Sequence, residues 1–111
     1  MKRNSSIIIV GILILTANII FAQTNLVISE FMASNQRSLL DEDGSSSDWV
    51  EIYNPNPFEV NIGGWFLTDN TNNLTKWQFP STNISPYSFM IVFCSGKDRL
   101  TPGLPLHTSF N

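Results

Sequence analysis

The stretch "DWVEIYNPNPFEVNIGGWFLTDN", Asp48 to Asn70, decides the fold. Its first seven residues alternate: Trp49, Glu51 and Tyr53 fall on one side, Val50 and Ile52 on the other. A period of two over that length is the pattern of a half-buried strand. Asn54-Pro55-Asn56-Pro57 then interrupts the chain, because proline has no ladder donor and restricts the residue before it. Alternation resumes over Phe58–Ile62, with Phe58, Val60 and Ile62 expected inward. Gly63-Gly64 permits a tight turn with positive φ. Trp65–Asp69 reads as a third strand, with Trp65 expected to pack inward, and "DNTNN" (Asp69–Asn73) as the next turn.

The same grammar extends in both directions. Upstream, "NLVISEFMA" (Asn25–Ala33) alternates Leu26, Ile28 and Glu30 with Val27, Ser29 and Phe31. Downstream come "TKWQF" (Thr75–Phe79), "SFMIVFC" (Ser88–Cys94) and "HTSF" (His107–Phe110), the last the start of another strand. Pro80 and Pro86 bracket "STNIS", and Ser95-Gly96-Lys97-Asp98 ends the most apolar strand. After the N-terminal apolar run, no stretch has helical periodicity. Several short strands separated by frequent turn signals predict an all-β sandwich or barrel.

The N-terminus is of a different kind. Met1-Lys2-Arg3 precedes an apolar run from Ile7 to Phe21, and Ala22-Gln23 follows. A basic start, an apolar run and a small residue at its end form the pattern of a secretory signal peptide, with cleavage expected after Ala22. The alternative is an uncleaved anchor, but the run is short for a span and contains Asn18. The expected organisation is a signal peptide over residues 1–22 and one small domain over residues 23–111, secreted to the cell surface or periplasm. After cleavage no stable membrane insertion is expected. That domain holds four basic and nine acidic residues. Such a surface repels phosphate backbones, so nucleic acid is an unsuitable partner. The single cysteine, Cys94, cannot form an internal disulfide and lies in the apolar run "FMIVFC", where it reads as a buried thiol.

"ISEFMASN", "DEDGSSSDWVEIYNPNPFEVNIGGWFLTDN", "KWQFP", "ISPYSFMIVFCSGKD" and "LHTSFN", in that order, resemble a lamin tail domain. The resemblance runs from about Leu26 to the last residue. It implies an immunoglobulin-like β-sandwich. It further implies a non-catalytic docking or adhesion module, in the bacterial branch an accessory domain of a larger extracellular protein such as a spore-coat-H-like kinase or a hydrolase. The family pattern normally continues beyond "HTSFN" with further strands, so a sandwich lacking its last strands is expected, with an open sheet edge.

"SLLDEDGSSSD" (Ser38–Asp48) crowds Asp41, Glu42, Asp43 and Asp48 into one loop. The EF-hand pattern fails: counted from Asp41, the sixth position is Ser46 rather than glycine and the twelfth is Ile52 rather than glutamate. A looser calcium loop through Asp41, Asp43 and Asp48 is the metal candidate. The plainer reading is a solvated turn at Asp43-Gly44 leading into the strand, with Asp48 tying its own backbone. Trp49, Glu51 and Tyr53 share a strand face and are the ligand-binding candidates, for a glycan above all, provided that face is exposed; core packing is the competing reading. His107, the only histidine, has no evident nucleophile or ligand set in the sequence and reads as structural or solvent-facing. Glu51 with Asp48 or Glu30 would be the only carboxylate pair for acid–base work, in a domain with little material for a cleft. The expected function is therefore an interaction module whose partner is a protein, a surface glycan or neighbouring domains of a longer chain. The alternative is a carbohydrate- or calcium-binding module.

Overall fold

The computed structural model describes residues 7–11 and 24–111. Most of the leader-like segment, including the expected cleavage point after Ala22, lies outside the described residues. Among the described residues there are nine strands: β1 (Ile8–Val10), β2 (Val27–Met32), β3 (Asp48–Tyr53), β4 (Val60–Asn61), β5 (Phe66–Thr68), β6 (Trp77–Gln78), β7 (Asn83–Ile84), β8 (Phe89–Cys94) and β9 (Leu106–His107). Among the described residues there is no helix, and so none long and apolar enough to cross a membrane.

The strands form a four-stranded sheet in the order β2-β3-β8-β9, a three-stranded sheet β1-β5-β6 and a two-stranded ladder β4-β7. All pairs are antiparallel except β8 with β9, which run parallel. β3 carries the alternation read from its sequence: Val50 and Ile52 face inward opposite Val92 and Met90 of β8. Their inward faces meet Leu67, Trp77 and Phe79 of the other sheet, with Ile62 and Ile84 closing the side. Val50, Ile52, Ile62, Leu67 and Val92 are completely buried. Each such side chain stabilises the fold by roughly 1.5–3 kcal/mol through removal of apolar area from water. The result is the all-β, two-layer sandwich expected from the strand pattern.

Local chemistry explains the turns. Gly64 has a φ of +83°, and a Cβ on Gly63 would lie 2.7 Å from Asn61 Oδ1 and 2.8 Å from the Ser81 Cα. Only glycine fits both positions. Asn54 is buried where the Asn-Pro break begins, and its side chain donates to the carbonyls of Phe58, Ile84 and Ser85. It ties the end of β3 to β7.

Three details depart from the sequence reading. Phe58, expected inward, is 41% exposed, because the chain joins a sheet only at Val60. "STNIS" contains a strand, β7, too short to show a period. In β2 a bulge shifts the register between Ile28 and Glu30. Ile28 pairs with Ile52, but Phe31 pairs with Val50, so Phe31 moves to the inward side that strict alternation assigns to Leu26 and Ile28. There its ring is 56% exposed at the sheet edge.

Candidate functional site

The face of the four-stranded sheet turned away from the core is built from three cross-strand rows. Register places Met32, Trp49, Phe93 and His107 in the first, Glu30, Glu51 and Ile91 in the second, and Val27, Tyr53 and Phe89 in the third. The ligand candidates Trp49, Glu51 and Tyr53 thus occupy successive rows of one face, as the alternation required.

The loop between β2 and β3 lies at the first row. Two buried polar side chains organise it, Asn35 and Asp41. Asn35 donates through its side-chain amide to the carbonyls of Leu39 and Ser47, and its Oδ1 accepts from the backbone of Arg37 and Ser38. Its backbone N–H donates to Asp48 Oδ1 at 2.9 Å, so Asp48 ties down the far side of the loop rather than its own backbone. Asp41 Oδ1 accepts from the N–H groups of Asp43 and Ser45 at 3.0 and 2.9 Å, which draws the chain into the Asp43-Gly44 turn. Asp41 Oδ2 accepts from the Ser47 hydroxyl and from the ammonium of Lys97. This corrects the solvated reading, since the central carboxylate is 5% exposed.

The remaining acids meet cations from the segment after β8. Asp43 Oδ2 accepts from Lys97 Nζ at 2.9 Å and from Arg99 at 2.7 Å. Glu42 takes the other arm of Arg99 and the Nε2–H of His107, at 2.8 Å to Oε2. Burial pushes the Asp41 carboxyl up, but the hydrogen bonds from Lys97, Ser45, Ser47 and Asp43 outweigh it and hold it well below the usual carboxylate range. Glu42 is likewise pushed up by partial desolvation and brought below its usual value by His107 and Arg99. Arg99 and then Lys97 lower Asp43. The cations respond reciprocally: Asp41 and Asp43 raise Lys97, and Asp43 and Glu42 raise Arg99. The metal candidates are therefore divided, Asp41 and Asp43 on Lys97 and Asp48 on Asn35. Among the described residues no three His, Cys, Asp or Glu side chains gather in a way that would hold a metal ion.

Away from the loop the face opens. Trp49 in the first row is 7% exposed, whereas Phe89 in the third is 58% and Val27 46% exposed. Tyr53 and Phe89 stack with ring centroids 4.6 Å apart. In the middle row Glu30 and Glu51 stand opposite each other, and the bulged Ser29 donates its hydroxyl to Glu51 Oε1 at 2.8 Å. The open end is thus an aromatic and aliphatic strip with a carboxylate and a hydroxyl at its margin.

The family model of the Lamin Tail Domain matches residues 21–109. The chain belongs to the lamin tail domain family. No curated protein and no solved structure matches it. Lamin tail domains are immunoglobulin-like sandwiches that serve in protein interaction, which agrees with the all-β architecture found here.

One arrangement in this lamin tail domain has the order of a catalytic relay. Ser95 Oγ lies 2.7 Å from His107 Nδ1, and His107 Nε2 meets Glu42. The imidazole is completely buried and stacks on Phe93 at 5.2 Å between centroids. In a catalytic relay the serine meets Nε2 and the acid Nδ1; here the two are exchanged, and Ser95 Oγ also accepts from the Lys97 N–H. The relay works as a clasp that fastens the acidic loop to β9. Cys94 is a buried thiol, as read, with desolvation pushing it up to about 12, far from thiolate reactivity at neutral pH.

Sequence reasoning missed Asn35, Ser95, Lys97 and Arg99 as parts of this site. One signal was present: residues 23–111 hold only four basic side chains, and two of them fall in the five residues after Cys94.

Proposed function

We propose that this lamin tail domain is a secreted, non-catalytic docking module that acts as an accessory domain of a larger extracellular protein, such as a spore-coat-H-like kinase or a hydrolase. Its contact surface is the open end of the outer sheet face, centred on Phe89. The observation that carries this reading is the contrast within one face. The charged end is engaged with its own Lys97, Arg99 and His107, while Phe89 and Val27 remain exposed beside the half-buried Tyr53. Exposed aromatics on a rigid sheet are the residue type that dominates interface energetics. The leader-like Met1–Ala22 supports export.

A photoreactive residue placed at Phe89, and as a control at Asn72 in an exposed turn, tests this on intact cells of the source organism. Adducts from position 89 and none from position 72 are expected. Equal labelling from both would sink the assignment.

The stacked Tyr53–Phe89 pair beside Glu51 and the Ser29 hydroxyl favours a second reading, a glycan partner. An aromatic plane with adjacent hydrogen-bonding groups suits a sugar ring. Titration with soluble oligosaccharides, followed by tyrosine and tryptophan fluorescence, separates the two. Saturation by a sugar, abolished by Phe89→Ser, selects the glycan.

A further inference from the structure

The three-stranded sheet has an unusual member. β1 comes from inside the leader-like apolar run, yet it is seated on β5 with Ile8 opposite Thr68, Ile9 opposite Leu67 and Val10 opposite Phe66. Ile7 and Ile9 pack against the core cluster. The Trp65 carbonyl accepts from the Phe79 N–H on the β6 side. Since backbone groups point to alternate sides along a strand, Leu67 also faces β6, and Phe66 and Thr68 turn their N–H and C=O groups toward β1. Without β1, this short edge would expose unpaired backbone above buried Leu67 and the partly buried ring of Trp65, which is a template for an added strand.

The seat is selective at one end. A Cβ on Gly11 would lie 3.1 Å from the Trp65 ring, a tight contact that requires the indole to give by a few tenths of an ångström, so glycine suits this position best. The occupant best suited to it has aliphatic side chains at alternate positions, an uncharged sequence and a glycine over Trp65. The run "IIIVG" (Ile7–Gly11) meets all three conditions.

We propose that the β5 edge, Phe66–Thr68, is a strand-accepting site. Its occupant once the leader is removed is an extended segment of a partner polypeptide with the same aliphatic–x–aliphatic–x–glycine chemistry, added antiparallel to β5. This rests on the export reading proposed above: removal of residues 1–22 as a leader would vacate a seat that the chain otherwise fills itself. Strand addition supplies affinity through main-chain hydrogen bonds, and the alternate side chains together with the glycine supply selectivity. This surface lies on the other sheet from Phe89, so its failure leaves the proposed function standing.

Amide hydrogen exchange on the full chain tests it. In Ile9→Asp the charge drives β1 off the core. The amides of Phe66 and Thr68 are expected to exchange at least about tenfold faster, while that of Leu67, bonded toward β6, stays protected. A synthetic peptide of residues 5–11 with a lysine tag for solubility is then added. It is expected to restore protection at Phe66 and Thr68, and the same peptide carrying Gly11→Leu is not. Failure of the first peptide to restore protection overturns the proposal. So does loss of protection at Leu67 in Ile9→Asp, because the edge then cannot be vacated without unfolding the sheet. Equal rescue by both peptides overturns the selectivity of the seat.

Discussion

The two ends of the outer sheet face differ in what their side chains do. Along β3 the outward residues pass from Trp49, buried, through Glu51 to Tyr53, beside the exposed Phe89, within one strand. At the first end, charged groups from positions 41–43 and 97–107 satisfy one another. At the other, apolar rings meet water. The first arrangement serves stability, and we propose that the second serves contact. Polar residues in a loop therefore need not mark the functional end of a module. Here the charges hold the loop down, and the exposed apolar residues lie at the opposite end.

The sharpest way to break this comparison is Asp41→Ala. It removes the acceptor of two backbone N–H groups, the Ser47 hydroxyl and the Lys97 ammonium from a buried position. Orphaned buried donors and half of an ion pair together cost about 3 kcal/mol. Chemical denaturation should show this as a lowered midpoint with an unchanged slope. A loss below about 0.5 kcal/mol would mean that the loop is as solvated as its composition suggested.

Acid should act on the same end. Asp41, Glu42 and Asp43 all titrate lower in the folded protein than in the unfolded chain. As pH falls, the unfolded chain therefore takes up protons first. The stabilisation from these groups is complete above about pH 5 and is lost progressively below about pH 4. Thermal melts from pH 6 to pH 2 should show a falling midpoint in the native protein and a flatter profile in Asp41→Asn. Parallel profiles would show that the carboxylates are not linked to folding.

The strands that position both ends were legible because alternation survives wherever a strand has one buried face. Asp48–Tyr53 and Phe89–Cys94 were read almost to the residue, and Gly63-Gly64 marked its turn. Asn83–Ile84 was not legible, since two residues between prolines have no period. The bulge after Ile28 was hidden because Ser29 and Glu30 are both polar, and the extra residue leaves no trace in the pattern. Of the site, the shared face of Trp49, Glu51 and Tyr53 was readable, but their unequal exposure was not. Nor was the contact of Asp41 with Lys97, 56 residues apart, a separation at which sequence carries no geometric information. Ile8–Val10 was read only as part of a leader, because its composition suits a targeting segment and a buried strand equally.

At the open end, Phe89→Ser should reverse the balance of effects. Its ring is largely in water, and the stack on Tyr53 is its principal contact. The expected loss of stability is about 0.5 kcal/mol, against complete loss of the adducts formed from a photoreactive residue placed at Val27 in the same row. A stability loss comparable to that of Asp41→Ala would show that Phe89 belongs to the core and would remove the distinction between the two ends.

Calcium should have the smallest effect, and its size is informative. The ion requires six to eight oxygen ligands, so binding in the loop would have to detach Asp41 and Asp43 from Lys97 and Arg99 and swing Asp48 away from the Asn35 N–H. Each detachment leaves a cation or a backbone donor without its partner. Millimolar calcium is therefore expected to leave the melting temperature where EDTA leaves it. The assay is sensitive enough to decide: a site with a Kd of about 10 µM would add about 2.7 kcal/mol at 1 mM calcium. In a domain of this size that would raise the midpoint by about 10 °C or more. Such a rise, abolished by Asp43→Asn, would turn the clasp into a metal-dependent switch between closed and open loops. It would make the charged end, rather than the aromatic one, the part of the face that responds to its surroundings.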